Sequence, residues 1–199
     1  MRFGRFGGTL SFVAGVCGLI GAMVRVSGEN MGSWAEELSR LAGEFARHFE
    51  ARFGYPVGDN GVVRVVSVGR QRLLDDLVGA GVGGDLVTFY SYVGSVSLPD
   101  LGSGFFVHAA EDVLDGVRGE QPTRVTGAVD DEITVFGSDG GGGLFALNAA
   151  QDKVYRLSEG ALFGATYDVS PSGVHLAARG LWEFLGYLLS ELSHATSAK

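Results

Sequence analysis

Asp139 and the four glycines after it, Gly140–Gly143, are the first place to look for chemistry. Glycine-rich turns can cradle phosphates, and a carboxylate beside one can help hold a metal. A phosphate loop of the form G-x-x-x-x-G-K-[ST] needs a lysine and a hydroxyl after its second glycine. Gly137 and Gly142 have the spacing, but Gly143 and Leu144 follow. A dinucleotide fingerprint needs a helix after its glycines, and GLFALN here has the pattern of a strand. The calcium-loop spacing D-x-[DN]-x-[DN]-G is also missing. Asp139, Gly140, Gly141, Gly142 and Gly143 therefore read as a structural turn whose aspartate bonds its own backbone. No cofactor is expected.

Carboxylates are the next candidates. Asp130, Asp131 and Glu132 run together ahead of Ile133, and Glu111 and Asp112 lie in AAEDVLDG. General acid/base work needs partial burial to separate two pKa values. Three adjacent acids ahead of a strand read instead as a solvated run, so these five are candidates for an acidic partner-binding face. His48, His108, His175 and His194 fall in no H-x-x-x-H or H-E-x-x-H pattern and read as structural. There is no G-x-S-x-G elbow, and the single cysteine, Cys17, lies outside the folded pattern. The chain is expected not to be an enzyme.

The elements that must position these residues follow from hydrophobic periodicity. Ser33–Phe53 places Trp34, Leu38, Leu41, Phe45, Phe49 and Phe53 on one helical stripe. Ser33 with Glu36 suggests a capping box, and Gly54 with Pro56 a stop. Gly61–Val68 predicts a strand. Arg70–Val78 and Asp85–Val93 predict short helices, the second capped by Asp85 and ended by Gly94. Val96–Leu98 and Phe105–Val107 predict strands, Ala109–Gly116 one or two helical turns, and Glu120–Gly127 an exposed loop. The segment Ile133–Leu157 predicts three strands, ITVFGSD, GLFALN and KVYRL. Leu162–Val169 predicts one strand interrupted at Gly164, and Ala177–Ser193 a closing helix with a wide leucine face. The expected fold is α+β: an antiparallel meander with helices packed on one side.

Bulk composition sets the remaining bounds. A chain of 199 residues, 46% hydrophobic and 19% charged, suits one domain with a real core. We expect residues 31–194 to form that domain, with a frayed tail at 195–199. Met1–Asn30 is an apolar extension containing LSFVAGVCGLIGAMV behind Arg2 and Arg5. It reads as an over-extended start, with Met23 or Met31 as the true initiator, as a signal-like segment, or as a packed helix. Its apolar run of fifteen residues is short for a membrane span, so no stable insertion is expected. Cytoplasmic location is the expectation, with export or anchoring the alternative. The net charge is −8, of which Met1–Asn30 contributes +2 and the remainder −10. An acidic body repels phosphate backbones and suits a basic protein partner, so nucleic-acid binding is not expected. One cysteine excludes an intrachain disulfide.

Asp85–Leu192 resembles the SMI1/KNR4 (SUKH) superfamily. The resemblance lies in an ordered set: DLVTFYSYVG at Asp85–Gly94, SLPDLGSGFFVHAAEDVLDG at Ser97–Gly116, FGSDGGGGLFAL at Phe136–Leu147, VYRL at Val154–Leu157 and LWEFLGYLLSEL at Leu181–Leu192. It implies an α+β sheet with flanking helices and a concave, acid-tending face. It also implies a non-catalytic role, as a bacterial immunity protein that blocks a co-encoded toxin, often a nuclease, or as a regulatory scaffold. Partner-contacting residues vary in that family, so no interface transfers by motif, and neither the toxin nor the oligomeric state follows.

Overall fold

The computed structural model describes residues 26–65 and 69–197. Cys17, the apolar run of the N-terminal extension and the end of the strand expected at Gly61–Val68 lie outside them. Helix α1 spans Met31–Phe53. It starts earlier than the capping-box reading placed it: Asn30 is the N-cap, so Ser33 and Glu36 lie inside the helix. The cause is a single-turn 3₁₀ helix, Gly28–Asn30, in which Asn30 Oδ1 accepts from Ser27 N–H at 2.8 Å. Gly54, at φ 78°, ends α1 as expected, donating to Glu50 O at 2.9 Å. Trp34, Leu38, Leu41, Phe45 and Phe49 are buried, whereas Phe53 is 44% exposed. Trp34 Nε1 donates to Leu185 O at 3.1 Å and ties α1 to the closing helix α5, Leu181–Ser197.

The middle of the chain departs from expectation in several places. Strand β1 is Gly61–Arg64, α2 is Arg70–Gly79 and α3 is Gly84–Tyr90. Asp85 does not cap α3; its own N–H is satisfied by Gln151 Oε1 at 2.8 Å, a partner 66 residues away that local pattern cannot reveal. Gly94 does not end that helix either but lies within strand β2, Val93–Leu98. Strand β3 is Phe105–Val107 and α4 is Ala110–Asp115, continued by a π turn at Gly116–Glu120. The expected exposed loop contains strand β4, Arg124–Gly127, with Val125 fully buried. Strands β5 (Asp131–Asp139), β6 (Leu144–Asn148) and β7 (Val154–Leu157) match the expected three-strand unit.

The single strand expected at Leu162–Val169 is a hairpin, β8 (Ala161–Phe163) and β9 (Thr166–Val169). Gly164, at φ 61°, occupies the first central position of its two-residue turn, where a II′ hairpin requires a positive φ. Val174–Ala178 forms β10, so the closing helix begins at Leu181, after Gly180. It then continues through the expected tail to Ser197.

The sheet is mixed and mostly antiparallel, and it branches. One run is β1-β2-β3-β5, and β5 leads on through β6 and β7 to β10. From β5 a second branch runs β4-β9-β8, in which β4 and β9 are parallel. The meander expectation holds for β5-β6-β7 but not for this branch. Strand β5 pairs with β4 at Glu132 and with β3 at Gly137, while β6 runs along its other edge. The register against β6 shifts between Val135 and Gly137, a bulge centred on Phe136. By the alternation of the strand, Ile133 and Val135 enter one core cluster with Val125, Ala146, Tyr155, Leu157 and Val169. Phe136 enters the other, which α1, α3 and α5 share with Phe145, Leu147 and Val154. Among the described residues, no helix contributes to the smaller cluster.

Phe136 is fully buried, edge-on to Phe184 with ring centroids 5.3 Å apart. Phe136→Ala should destabilise the fold by about 3–5 kcal/mol, from lost burial plus the cavity left behind. Urea unfolding followed by tryptophan fluorescence measures this; a loss below about 1 kcal/mol would mean that Phe136 does not anchor β5.

Candidate protein-binding surface

The Asp139 turn is internally satisfied. Asp139 Oδ1 accepts from the N–H groups of Gly141 at 2.8 Å and Gly143 at 2.7 Å. Oδ2 accepts from Arg156 Nε at 2.7 Å and Nη2 at 2.5 Å. Amide donors that a phosphate would need are thus already aimed at a carboxylate. The glycines are required for space as well as conformation. A Cβ on Gly140 would lie 2.2 Å from Ser103 O, and one on Gly143 2.6 Å from Asp139 Oδ2. Gly142 adopts φ 85°. Asp139, Gly140, Gly141, Gly142 and Gly143 form a turn, as their sequence suggests. What the sequence does not disclose is Arg156, whose partnership arises from β7 lying beside β6.

The five candidate acids fall into different settings. Asp130 pairs with Arg124 at 2.6 Å. Asp131 accepts from Tyr155 Oη at 3.0 Å and from Asn148 Nδ2 at 3.3 Å. Burial, then the hydrogen bond and charge of Asp131, push the Tyr155 hydroxyl up to about 12. Asp131 therefore serves the fold and belongs to β5 rather than to a loop before it, whereas Asp130 is exposed and its pair with Arg124 lies at the surface. Glu132 is exposed and borders a polar hollow of about 560 Å³ with Thr123, Arg124, Asn148 and Gln151. Glu111 borders another, of about 420 Å³, with Val63, Arg64 and Leu73. Asp112 accepts from Ala109 N–H at 3.3 Å and borders a third, of about 250 Å³, with His108, Glu120 and Gln121. The acids thus border three separate hollows.

His108 is the most enclosed ionisable group in that third hollow. Its Nε2 lies 2.9 Å from Ser138 Oγ, its N–H bonds Phe136 O at 2.9 Å, and its carbonyl accepts from Tyr90 Oη at 2.9 Å. Burial lowers the His108 pKa, and the nearby charge of Asp112 only partly offsets this. These bonds hold the link between β3 and α4 against β5 and α3, with the ring contributing the contact to Ser138 and the main chain the other two. Among the described residues, no group of three or more His, Cys, Asp or Glu is placed to hold a metal. No helix among them is long and apolar enough to cross a membrane.

Two apolar surfaces have no counterpart in the sequence reading. Phe49, Phe53 and Tyr55 pack as an aromatic ladder at the end of α1, with Phe53 and Tyr55 open to solvent. Leu162 and Phe163 on β8 are 57% and 67% exposed. One strand over Leu162–Val169 would not expose this pair; the hairpin turn at Gly164 does.

Acid should weaken the fold in two windows. Unfolded histidine takes up a proton near pH 6.5. A folded value held below that makes stability fall as pH drops beneath about 6.5, until His108 itself protonates. For Asp139, burial raises the pKa, but the bonds from Gly143, Arg156 and Gly141 and the charge of Arg156 outweigh it, and the net shift is downward. Its contribution is complete above the unfolded carboxylate value of about 3.9 and disappears as pH falls through the lower folded value. His108→Gln should flatten the first window only. Arg156→Met should cost about 1.5–3 kcal/mol at neutral pH, the range for hydrogen bonds to a charged group. Melting temperatures between pH 3 and 8 test both; unchanged profiles would contradict these assignments.

No family model matches the chain, and neither a curated protein nor a solved structure matches it.

Proposed function

We propose that this chain is a non-catalytic protein-binding module, an immunity protein that docks a basic toxin domain in the cytoplasm and neutralises it. The observation that carries this reading is the disposition of charge. The chain is at −8. Arg40, Arg64, Arg124 and Arg156 already lie within 2.5–3.7 Å of carboxylates of the same chain. Glu111, Asp112 and Glu132 are exposed beside hollows large enough to seat side chains of another protein. Complementary charge of this kind raises association rates and selects against acidic partners. The resemblance of Asp85–Leu192 to SMI1/KNR4 proteins supports the same reading and supplies the toxin as the partner class.

Co-expression with the basic toxin domain encoded beside its gene should keep cells alive. Equal killing with and without the protein would sink the immunity reading. The acids separate binding from folding. Glu111→Gln and Glu132→Gln should slow association several-fold at low salt, shrink in effect as salt rises, and leave the melting temperature unchanged. Asp131→Asn should instead lower the melting temperature, because it weakens the bonds from Tyr155 and Asn148. Stopped-flow association and thermal melts distinguish the two classes; identical behaviour would mean that another surface docks the partner.

A further inference from the structure

Strand β8 ends one branch of the sheet, and among the described residues its outer edge has no strand beside it. Sheet edges are usually guarded by lysine, proline or a bulge. The segment Ser158–Val169, SEGALFGATYDV, holds none of the first two, and the β8–β9 register is regular: Ala161 opposite Asp168, Leu162 opposite Tyr167, Phe163 opposite Thr166. In a two-residue hairpin the pair closing the turn exchanges both hydrogen bonds, so at Leu162 the N–H and C=O point outward. Gly160, two residues earlier, also points outward, and its N–H is taken by Tyr167 Oη at 3.0 Å. Among the described residues, that leaves the outward N–H and C=O of Leu162 without a strand partner, flanked by two of the most exposed large apolar side chains described, its own and that of Phe163.

Charge decides what can lie there. The segment carries Glu159 and Asp168, both exposed, and no lysine, arginine or histidine. At a net charge of −8, a second copy of the chain would approach this edge against overall repulsion. We infer that the β8 edge accepts an extended, basic segment of another protein as an additional strand, with Leu162 and Phe163 as apolar anchors on its two faces. Three strand residues hold a partner weakly by main-chain bonds alone, so the apolar anchors and the acidic flanks must contribute. This rests on the reading of the chain as a binder of a basic protein and names the surface and conformation it would use.

The probe is an acetylated ten-residue peptide alternating lysine and valine, with an alternating glutamate–valine peptide as control. The lysine peptide should bind in low salt at least tenfold more tightly than the control and slow hydrogen exchange at the Leu162 amide. Leu162→Pro removes the outward N–H together with the exposed Leu162 anchor, and should weaken binding at least tenfold with the melting temperature unchanged. Amide exchange in the unaltered chain gives the answer should that variant fail to fold. Binding without protection at Leu162 overturns the edge inference and leaves the basic-partner reading intact. Absence of binding overturns the edge inference too, while toxin rescue on co-expression remains an independent measure of the wider reading. A dimer that Leu162→Pro converts to monomer would assign the edge to a second copy and overturn the proposal.

Discussion

The nine residues of β5, Asp131–Asp139, hydrogen-bond to three different strands, and a bulge against β6 at Phe136 lies where the other two leave a gap. A regular strand has two edges. One edge of β5 is taken by β6 along its length. The other is divided, with β4 on the first part and β3 on the last. Between these, the carbonyl of Phe136 accepts from the N–H of His108 as the chain leaves β3. Successive residues of a strand face opposite ways, so Val135 and Phe136 serve different cores. Branching of the sheet and the position of His108 follow from the divided edge, and the two apolar clusters from the alternating faces of β5. Gly137 follows the bulge for a steric reason: a Cβ there would lie 2.5 Å from Phe106 O.

The parts of this arrangement visible in the sequence are those with strong local signals. Helix α1 shows its stripe over many turns, and β5-β6-β7 are bounded by Gly, Asn and Asp. The misread parts depend on partners far along the chain. Strand β4 lacks alternation and contains Gly127, yet it is held by parallel pairing to β9, some forty residues later. Ala177 and Ala178 favour helix locally, but Ala178 pairs with Val154 in β10–β7. Val93 completes an apolar helical face by spacing, yet it lies opposite Arg64 in a strand pair. In each case tertiary hydrogen bonding overrode a weak local preference.

The candidate surface divides along the same line. The turn role of Asp139 and its glycines is legible, because Asx turns are local chemistry. The two roles of the acidic run are not. Asp131 and Glu132 are neighbours in sequence, but a strand sends successive side chains to opposite faces. Asp131 reaches Tyr155 and Asn148, while Glu132 faces solvent. A charge run read as one patch is thus split by the pleat into a structural carboxylate and a surface one.

Asp139 and Leu162 mark the contrast between the rigid and open parts of the molecule. The Asp139 carboxylate is almost completely buried and engages four donors from two segments, so opening the β5–β6 turn would give up several charge-assisted hydrogen bonds at once. That penalty keeps the hairpin closed and holds β7 in register through Arg156. No such lock holds the outer edge of β8. Its hairpin hangs from β4 by parallel pairing and from the smaller cluster mainly through Val169 and Tyr167, while all three β8 residues remain exposed. Local openings draw on regions with few buried contacts. The sheet therefore has a closed end around Asp139 and a lightly secured end at β8. A newly added strand would perturb the fold least at the lightly secured end, because the contacts it must accommodate there are the fewest.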